Sequence, residues 1–394
     1  MKEEIRRHLT MNKLPIYLDY NATTPVDQDV FKAMLPYFKT YFGNPSSSHQ
    51  YGKVTKEAVD AARQQVAKLL GADASEIVFT SGGSESNNHA IIGTAFANKK
   101  KGKHIITSRI EHPSVCETLR YLEEKFGYKI TNLPVDKYGM VNSLELEKAM
   151  TDETVLITIM HANNETGTIQ PIQEIGKIAK EKNVTFHIDA AQSCGKIEVN
   201  VDKLYGDLLT MAGHKLYAPK GIGALYIRNG TKVDNYIHGA GQEQKRRAGT
   251  ENVPYIVGLG KACEIGRSSI QEFDQRIKML RERLHTNIVD GLGAENVKLN
   301  GHPEQRLPNT LNVSFKGVVG EELLRMMPEI AASTGSACHA GSTEPSAVLL
   351  AMGLSREQAL GALRLSLGRW STREEIDKAS QLIISNAKSI KKAN

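Results

Sequence analysis

Cysteine is scarce. The 394-residue chain has four, Cys116, Cys194, Cys263 and Cys338, far apart and without a C-x-x-C pair. That spacing argues against a disulfide framework and a zinc site and predicts reduced thiols. Long apolar runs are also missing: no segment approaches the roughly eighteen residues of a membrane helix, and the opening MKEEIRRHLTMNKLP has no signal-type apolar core. A soluble, cytoplasmic chain with no membrane partner is the expectation. Nor does charge of one sign dominate. A formal net charge of +6 is spread along the chain apart from short basic clusters at 99–103, 245–247 and 391–392, which read as solvated faces and predict no direct nucleic-acid binding. Internal repeats and low-complexity tracts are absent as well.

What is present is length and alternation. A chain of 394 residues exceeds the size at which one core usually stops growing, so a large and a smaller domain are expected. Strand-like runs at 77–80, 104–107, 155–160 and 185–188 alternate with helix-period segments at 84–97, 112–125 and 172–182. This is the pattern of a doubly wound, mostly parallel α/β sheet, which runs at 207–211 and 223–227 would complete. After Thr250 a long helical period continues to about 288, followed by short strands near 297–299 and 310–315 and by helices near both ends of the remainder, as in an α+β unit.

Several chemistry-bearing residues fall at the carboxyl ends of the predicted strands, where open α/β sheets bind ligands. Lys215 lies in Ala212-Gly213-His214-Lys215, directly after one strand, and suits a Schiff base with a carbonyl. Asp189 ends another, in HIDAAQSCG, where a carboxylate can keep a pyridinium nitrogen protonated or, more plainly, cap a helix. Three residues on, Gln192 can reach a ring hydroxyl or remain a surface amide. In Thr80-Ser81-Gly82-Gly83-Ser84-Glu85 a strand meets a helix through two glycines, a phosphate cradle that is neither a dinucleotide fingerprint nor a P-loop. His112, in Ile110-Glu111-His112-Pro113, is placed to stack on a planar ring and relay a proton, though a histidine at a helix start is commonly a cap.

From Tyr17-Leu18-Asp19-Tyr20-Asn21-Ala22-Thr23-Thr24 to Arg364-Leu365-Ser366-Leu367-Gly368-Arg369 the chain resembles the group I, NifS/IscS-like cysteine desulfurases, which are fold-type I pyridoxal-phosphate enzymes. The resemblance implies that Lys215 bonds the cofactor, Asp189 pairs with its ring nitrogen, His112 stacks on the ring and Gln192 contacts the ring hydroxyl. It further implies phosphate contacts from Gly83, Ser84 and His214, with Thr250 of Gly249-Thr250-Glu251-Asn252 supplied across a homodimer interface. Asn164, in His161-Ala162-Asn163-Asn164-Glu165-Thr166-Gly167, and Arg364 match the pair that holds the substrate carboxylate, a task that suits a planar guanidinium; the plainer reading of Arg364 is a helix-surface charge. On this basis 15–262 is expected to be the large cofactor-binding domain, and 1–14 with 263–394 the small one. Ala212 departs from the serine of many relatives, a loss of one phosphate hydrogen bond worth about 1 kcal/mol.

Cys338 lies in the small, polar, glycine-bearing stretch at about 333–346, which reads as a loop, whereas the other three cysteines read as small buried residues in regular elements. Sulfur transfer needs an accessible thiolate that can approach a substrate and then carry sulfur away. The resemblance also puts the nucleophile at Cys338 and implies L-cysteine as substrate, alanine as product and a sulfur-acceptor protein as partner. Two alternatives share the chemistry: Cys338-His339, Ala212 and the Gly249–Asn252 run are similar to selenocysteine lyases, and a sulfur donor for DNA phosphorothioation would differ only in partner. A non-catalytic scaffold is disfavoured by the intact Lys215 and Asp189, and an aminotransferase would need no loop cysteine.

Overall fold

A computed structural model describes residues 14–335 and 344–393. Twelve strands occur among them: β1 Ile16–Tyr17, β2 Ile77–Thr80, β3 His104–Ser108, β4 Lys129–Leu133, β5 Thr154–Met160, β6 Thr185–Asp189, β7 Leu208–Ala212, β8 Gly223–Ile227, β9 Val297–Asn300, β10 Thr310–Phe315, β11 Ile330–Ala331 and β12 Ala362–Ser366. Seven form one sheet in the order β2-β8-β7-β6-β5-β3-β4. All its pairings are parallel except those of β8, which runs antiparallel to both β2 and β7. The large, mostly parallel α/β sheet expected from the alternation is therefore present.

Burial explains why these runs are strands. Every residue of β5, TVLITIM, is buried, as in a strand covered by helices on both faces. β4, KITNL, sits at the sheet edge with only its last residue buried, so its polar pattern gave no strand signal. Helices Gln28–Lys39 and Gln50–Leu70, also without a sequence-based expectation, pack against the long helix Val253–Leu292.

That helix joins two cores. Val253, Ile256, Leu259 and Cys263 belong to the core beneath the large sheet, whereas Phe273, Ile277, Leu284 and Ile288 join a second core with Leu311, Val313, Leu363 and Leu365. The second core is built on the antiparallel sheet β12-β10-β9. Leu18 packs in it too, and β1 pairs in parallel with β11, so the chain passes through the smaller core before residue 19 and only then enters the larger one.

Close approach fixes the turn after β7. A Cβ at Gly213 would lie 2.8 Å from Ile222 Cγ2 and 2.9 Å from Ile222 O, so a side chain there would push β7 and β8 apart. The turn that carries His214 and Lys215 can stay against the sheet only with glycine at its start.

Candidate active site

The carboxyl ends of β2, β3, β5, β6 and β7 share one edge, and the residues singled out from the sequence other than Thr250, Cys338 and Arg364 follow those strands. Helix Gly83–Ala97 begins directly after β2. Its N-cap is Gly82, at φ 150°, and no side chain caps it. Its first amides and the positive end of its dipole therefore remain for an anion at Gly83 and Ser84. The first turn is secured from outside by Glu85, whose carboxylate accepts from Arg247 Nε at 2.8 Å and Nη2 at 3.1 Å. The residue ahead of the lysine turn, Ala212, is near enough that a Cβ on Gly83 would meet its Cβ at 3.2 Å.

Asp189 ends β6 and is buried. Oδ1 accepts from Ala191 N at 3.0 Å and Oδ2 from Asn87 Nδ2 at 2.8 Å. Asn87 also donates to Ser114 Oγ at 2.8 Å. Ser114 Oγ lies 2.8 Å from His112 Nδ1, which accepts from Ser114 N at 3.1 Å. With its Oγ occupied as an acceptor, Ser114 donates its proton to Nδ1, leaving the neutral ring's proton on Nε2. Desolvation pushes the His112 pKa below the usual histidine value, which favours that neutral form. One chain of hydrogen bonds thus joins His112 to Asp189, and His112 doubles as N-cap of helix Pro113–Phe126.

Lys215 Nζ donates to two backbone carbonyls, Asn21 O at 2.5 Å and Ala22 O at 2.7 Å, and forms no ion pair among the described residues. Burial, reinforced by Arg364, lowers its pKa to about 8. His214 Nδ1 lies 3.2 Å from Thr23 Oγ1, and desolvation with Lys215 and Lys220 lowers its pKa to about 4. Gln192 Nε2 donates to Asn21 O at 3.0 Å, so Asn21 receives both Gln192 and Lys215.

Arg364 lies in β12, buried, and not on the surface of a helix. Its Nη2 donates to Asp19 Oδ1 at 2.7 Å and Nη1 to Asn164 O at 3.2 Å. Its Nε, also buried, has no partner among the described residues. Thr250 stands apart: it is exposed, ahead of helix Val253–Leu292, and among the described residues no hydrogen bond ties it to the other site residues. Cys338 and most of the expected loop lie outside the described residues.

Sequence reasoning passed over Asn21, Asn87, Asp19 and Lys196. Asn21 and Asp19 stand in the quoted Tyr17–Thr24 motif, but Asn87 and Lys196 had no signal, since a helix asparagine and a turn lysine are ordinary surface residues until packing buries them. Cys116 also departs from expectation. It is exposed, although its thiol donates to Glu111 O at 3.5 Å and is pushed up to about 11 by desolvation and Glu111.

The profile of the family described as "Aminotransferase class-V" matches residues 16–379. The chain belongs to that family. This class-V chain is 53% identical over 377 residues to a protein from Methanosarcina thermophila named "Cysteine desulfurase IscS", covering 95% of this chain and 92% of the relative. Among solved structures it is similar to one titled "NIFS-LIKE PROTEIN", with a TM-score of 0.88 and 39% identity over 94% of this chain and 99% of that one. Another, titled "SspA in complex with cysteine", gives a TM-score of 0.80 and 40% identity over 90% and 99%. The fold is that of the type I pyridoxal-phosphate transferases, and the cofactor of this class-V chain is pyridoxal phosphate.

The residues present fit that cofactor. Among the described residues, a buried carboxylate with no ion-pair partner, Asp189, suits a protonated ring nitrogen; an uncapped helix start suits a phosphate; an amine bonded only to carbonyls, Lys215, is free to bond a carbonyl carbon. A cavity of about 720 Å³ reaches the site at Ser84 and His112, lined also by Ser114, Tyr236 and His238; Asp189 and Lys215 do not line it. No helix among the described residues is long and apolar enough to cross a membrane.

Proposed function

We propose that this chain is a cysteine desulfurase that converts L-cysteine to L-alanine and carries the released sulfur as a persulfide on Cys338. The observation that carries the reading is the meeting of three complementary groups, two at the edge of the large sheet and one from β12 of the smaller sheet. Among the described residues Lys215 is an amine without an acidic partner, Asp189 a buried carboxylate without a cation, and Arg364 a guanidinium with an unused N–H. The relatives named cysteine desulfurase favour sulfur over selenium and over an amino-group acceptor.

Bound pyridoxal phosphate supplies an electron sink next to the substrate's α-carbon. Lys215, Asp189, His112, Gln192, Gly83, Ser84 and His214 would hold it. The chain's own residues do the remaining work. Arg364 takes the substrate carboxylate, with Asn164 beside it, and the burial of the guanidinium makes that charge-assisted bond strong. Lys215 Nζ, poised near neutrality, removes the α-proton, and neutral His112 is placed to return one. As the carbon–sulfur bond breaks, the Cys338 thiolate forms a bond to the departing sulfur, the carbon keeps the electron pair, and protonation yields alanine. The three described thiols are poorly suited to that role: burial holds Cys194 at about 12, raises Cys263 well above the ordinary thiol, and Cys116 is held at about 11.

On this reading the persulfide passes to an acceptor protein for iron–sulfur cluster or other thio-cofactor assembly in the cytoplasm. The enzyme is a homodimer in which the exposed Thr250 reaches the neighbour's phosphate. The test is alanine formation from cysteine and from selenocysteine, by wild type and Cys338→Ala. The desulfurase reading expects Cys338→Ala to lose turnover of cysteine while still altering the holoprotein's visible spectrum when cysteine is added. Full cysteine turnover in Cys338→Ala overturns it, and wild-type turnover confined to selenocysteine replaces it with the lyase.

A further inference from the structure

Lys196 is a lysine where none is expected. It lies in the turn after β6, four residues beyond Gln192, and is only 3% exposed. Burying an ammonium is costly unless a carboxylate compensates it, and among the described residues Lys196 has no ion-pair partner. Its Nζ instead donates to Gln192 Oε1 at 2.9 Å and to Asn21 Oδ1 at 3.3 Å. Lys215 and Arg364, both cationic, are its nearest charged influences, and burial together with them lowers its pKa to about 7.

The geometry gives this lysine a task. Gln192 is an amide, and its two ends are chemically opposite, so its orientation decides whether it offers a donor or an acceptor. Two neighbours set that orientation. Lys196 donates to Oε1, and the Asn21 carbonyl accepts from Nε2 at 3.0 Å. Flipping the amide would place Oε1 against the Asn21 carbonyl and aim the amide N–H groups at the donor Lys196, so both contacts oppose it. The same Asn21 carbonyl receives Lys215 Nζ at 2.5 Å, so the donor end of Gln192 and the Lys215 amine face one point.

We propose that Lys196 is a positioning residue of the cofactor site: it locks the Gln192 amide with its N–H end toward the Lys215 side, where it donates to the cofactor's ring oxygen. This rests on the pyridoxal-phosphate reading of the site. Lys196 acts through Gln192 and touches neither cofactor nor substrate. A donor on the ring oxygen stabilises that oxygen's negative charge and weakens its hold on the proton of the neighbouring nitrogen. Loss of the donor therefore moves the pH midpoint of the holoprotein's visible absorption band upward.

The experiment is a double-mutant cycle read by that midpoint, with Lys196→Met, Gln192→Leu and the pair. Lys196→Met is expected to raise the midpoint by about one pH unit, the scale of one hydrogen bond to a charged group. Gln192→Leu should raise it comparably, and the pair no further, while Lys196→Arg, which keeps a donor, stays near wild type. An unmoved midpoint in Lys196→Met overturns the proposal. So does a Lys196→Met shift that adds in full to that of Gln192→Leu, because the lysine would then act by its charge alone. The melting temperature of each cofactor-free variant is measured alongside; should Lys196→Met not fold, Lys196→Gln takes its place in the cycle under the same criteria. A wild-type holoprotein without a visible band that depends on Lys215 refutes the cofactor reading itself, whereas an intact band indifferent to Lys196 refutes only this inference.

Discussion

Asp19 and Arg364, 345 residues apart in sequence, form an ion pair at 2.7 Å in which neither side chain is freely exposed. Asp19 follows the first strand and Arg364 sits in the last, so the pair ties the first described strand to the last. Asp19 occupies Nη2 and the Asn164 carbonyl Nη1, which fixes the guanidinium plane, and among the described residues Nε is left without a partner.

Arg364→Ala should therefore raise KM for L-cysteine by roughly ten- to a hundredfold, the worth of a charge-assisted hydrogen bond, and leave the holoprotein's visible spectrum in place. Asp19→Asn should raise it less, since the guanidinium loses an anchor but keeps its charge. Steady-state kinetics on both variants checks this, and an unchanged KM in Arg364→Ala would place the carboxylate elsewhere.

The two buried lysines make a prediction about pH. Lys215 at about 8 and Lys196 at about 7 are both depressed below the ordinary lysine value of 10.5. Between about 7 and 10.5 the unfolded chain thus binds more protons than the folded one, so stability of the cofactor-free protein contributed by these groups rises with pH across that window. Denaturant unfolding at several pH values should show this rise, and Lys196→Met should flatten its lower part. The rate at which cofactor-free protein regains visible absorbance on adding pyridoxal phosphate should climb with a midpoint near 8, because only the neutral Lys215 amine is nucleophilic.

How much of this was legible beforehand depends on what each signal measures. Periodicity marks burial, so the fully buried β5 and the almost wholly buried β6 stood out, while the half-exposed edge strand β4 did not. Arg364 was noticed through its motif, but the sequence offered a helix surface where the fold has a buried strand. Asp189 could be read either as a helix cap or as a ring partner, and the fold shows its carboxylate held locally by Ala191 N and, from 102 positions away, by Asn87. Lys196 was invisible, because nothing local distinguishes a buried lysine from a solvated one.

Thr250 gives a test of subunit sharing. It is exposed on the segment that also sends Arg247 to Glu85, at the first turn of the anion-binding helix. If its hydroxyl serves the neighbouring subunit, a mixed dimer of Lys215→Ala and Thr250→Ala chains has one doubly altered site and one intact site. Alanine formation by the mixture should exceed the sum of the separate variants. A mixture that never exceeds that sum counts against sharing.

The segment ahead of Thr250 is held by a buried ion pair, and its loss should be costly. Arg63 meets Glu243 through two bonds, Nη1 to Oε2 at 2.6 Å and Nη2 to Oε1 at 2.8 Å, while Phe79 N in β2 donates to Glu243 Oε2 at 2.8 Å. Arg63 Nη1 also donates to Ile77 O at 2.8 Å and its guanidinium lies 4.7 Å from the centre of the Phe79 ring. Glu243, Gln244 and Lys245 all adopt left-handed backbone, at φ 46°, 58° and 66°, a conformation that side-chain-bearing residues resist. The anchored carboxylate offsets that resistance, together with bonds from Asn235 Nδ2 to Lys245 O and from Arg246 Nη2 to Ser75 O. Removing one partner leaves the other charged and buried, so Arg63→Ala should cost about 3–5 kcal/mol, measured by denaturant unfolding. Glu243→Ala should cost a comparable amount and also release the left-handed turn. The double variant, with no stranded charge, should lose clearly less than the sum of the singles. Because this turn precedes Thr250 and not Lys215, a cofactor-loaded Glu243→Ala protein should keep its Lys215-dependent visible band while binding the phosphate end of the cofactor more weakly. Equilibrium dialysis against pyridoxal phosphate measures that loss, and full additivity of the two single variants would show that the pair is not the anchor.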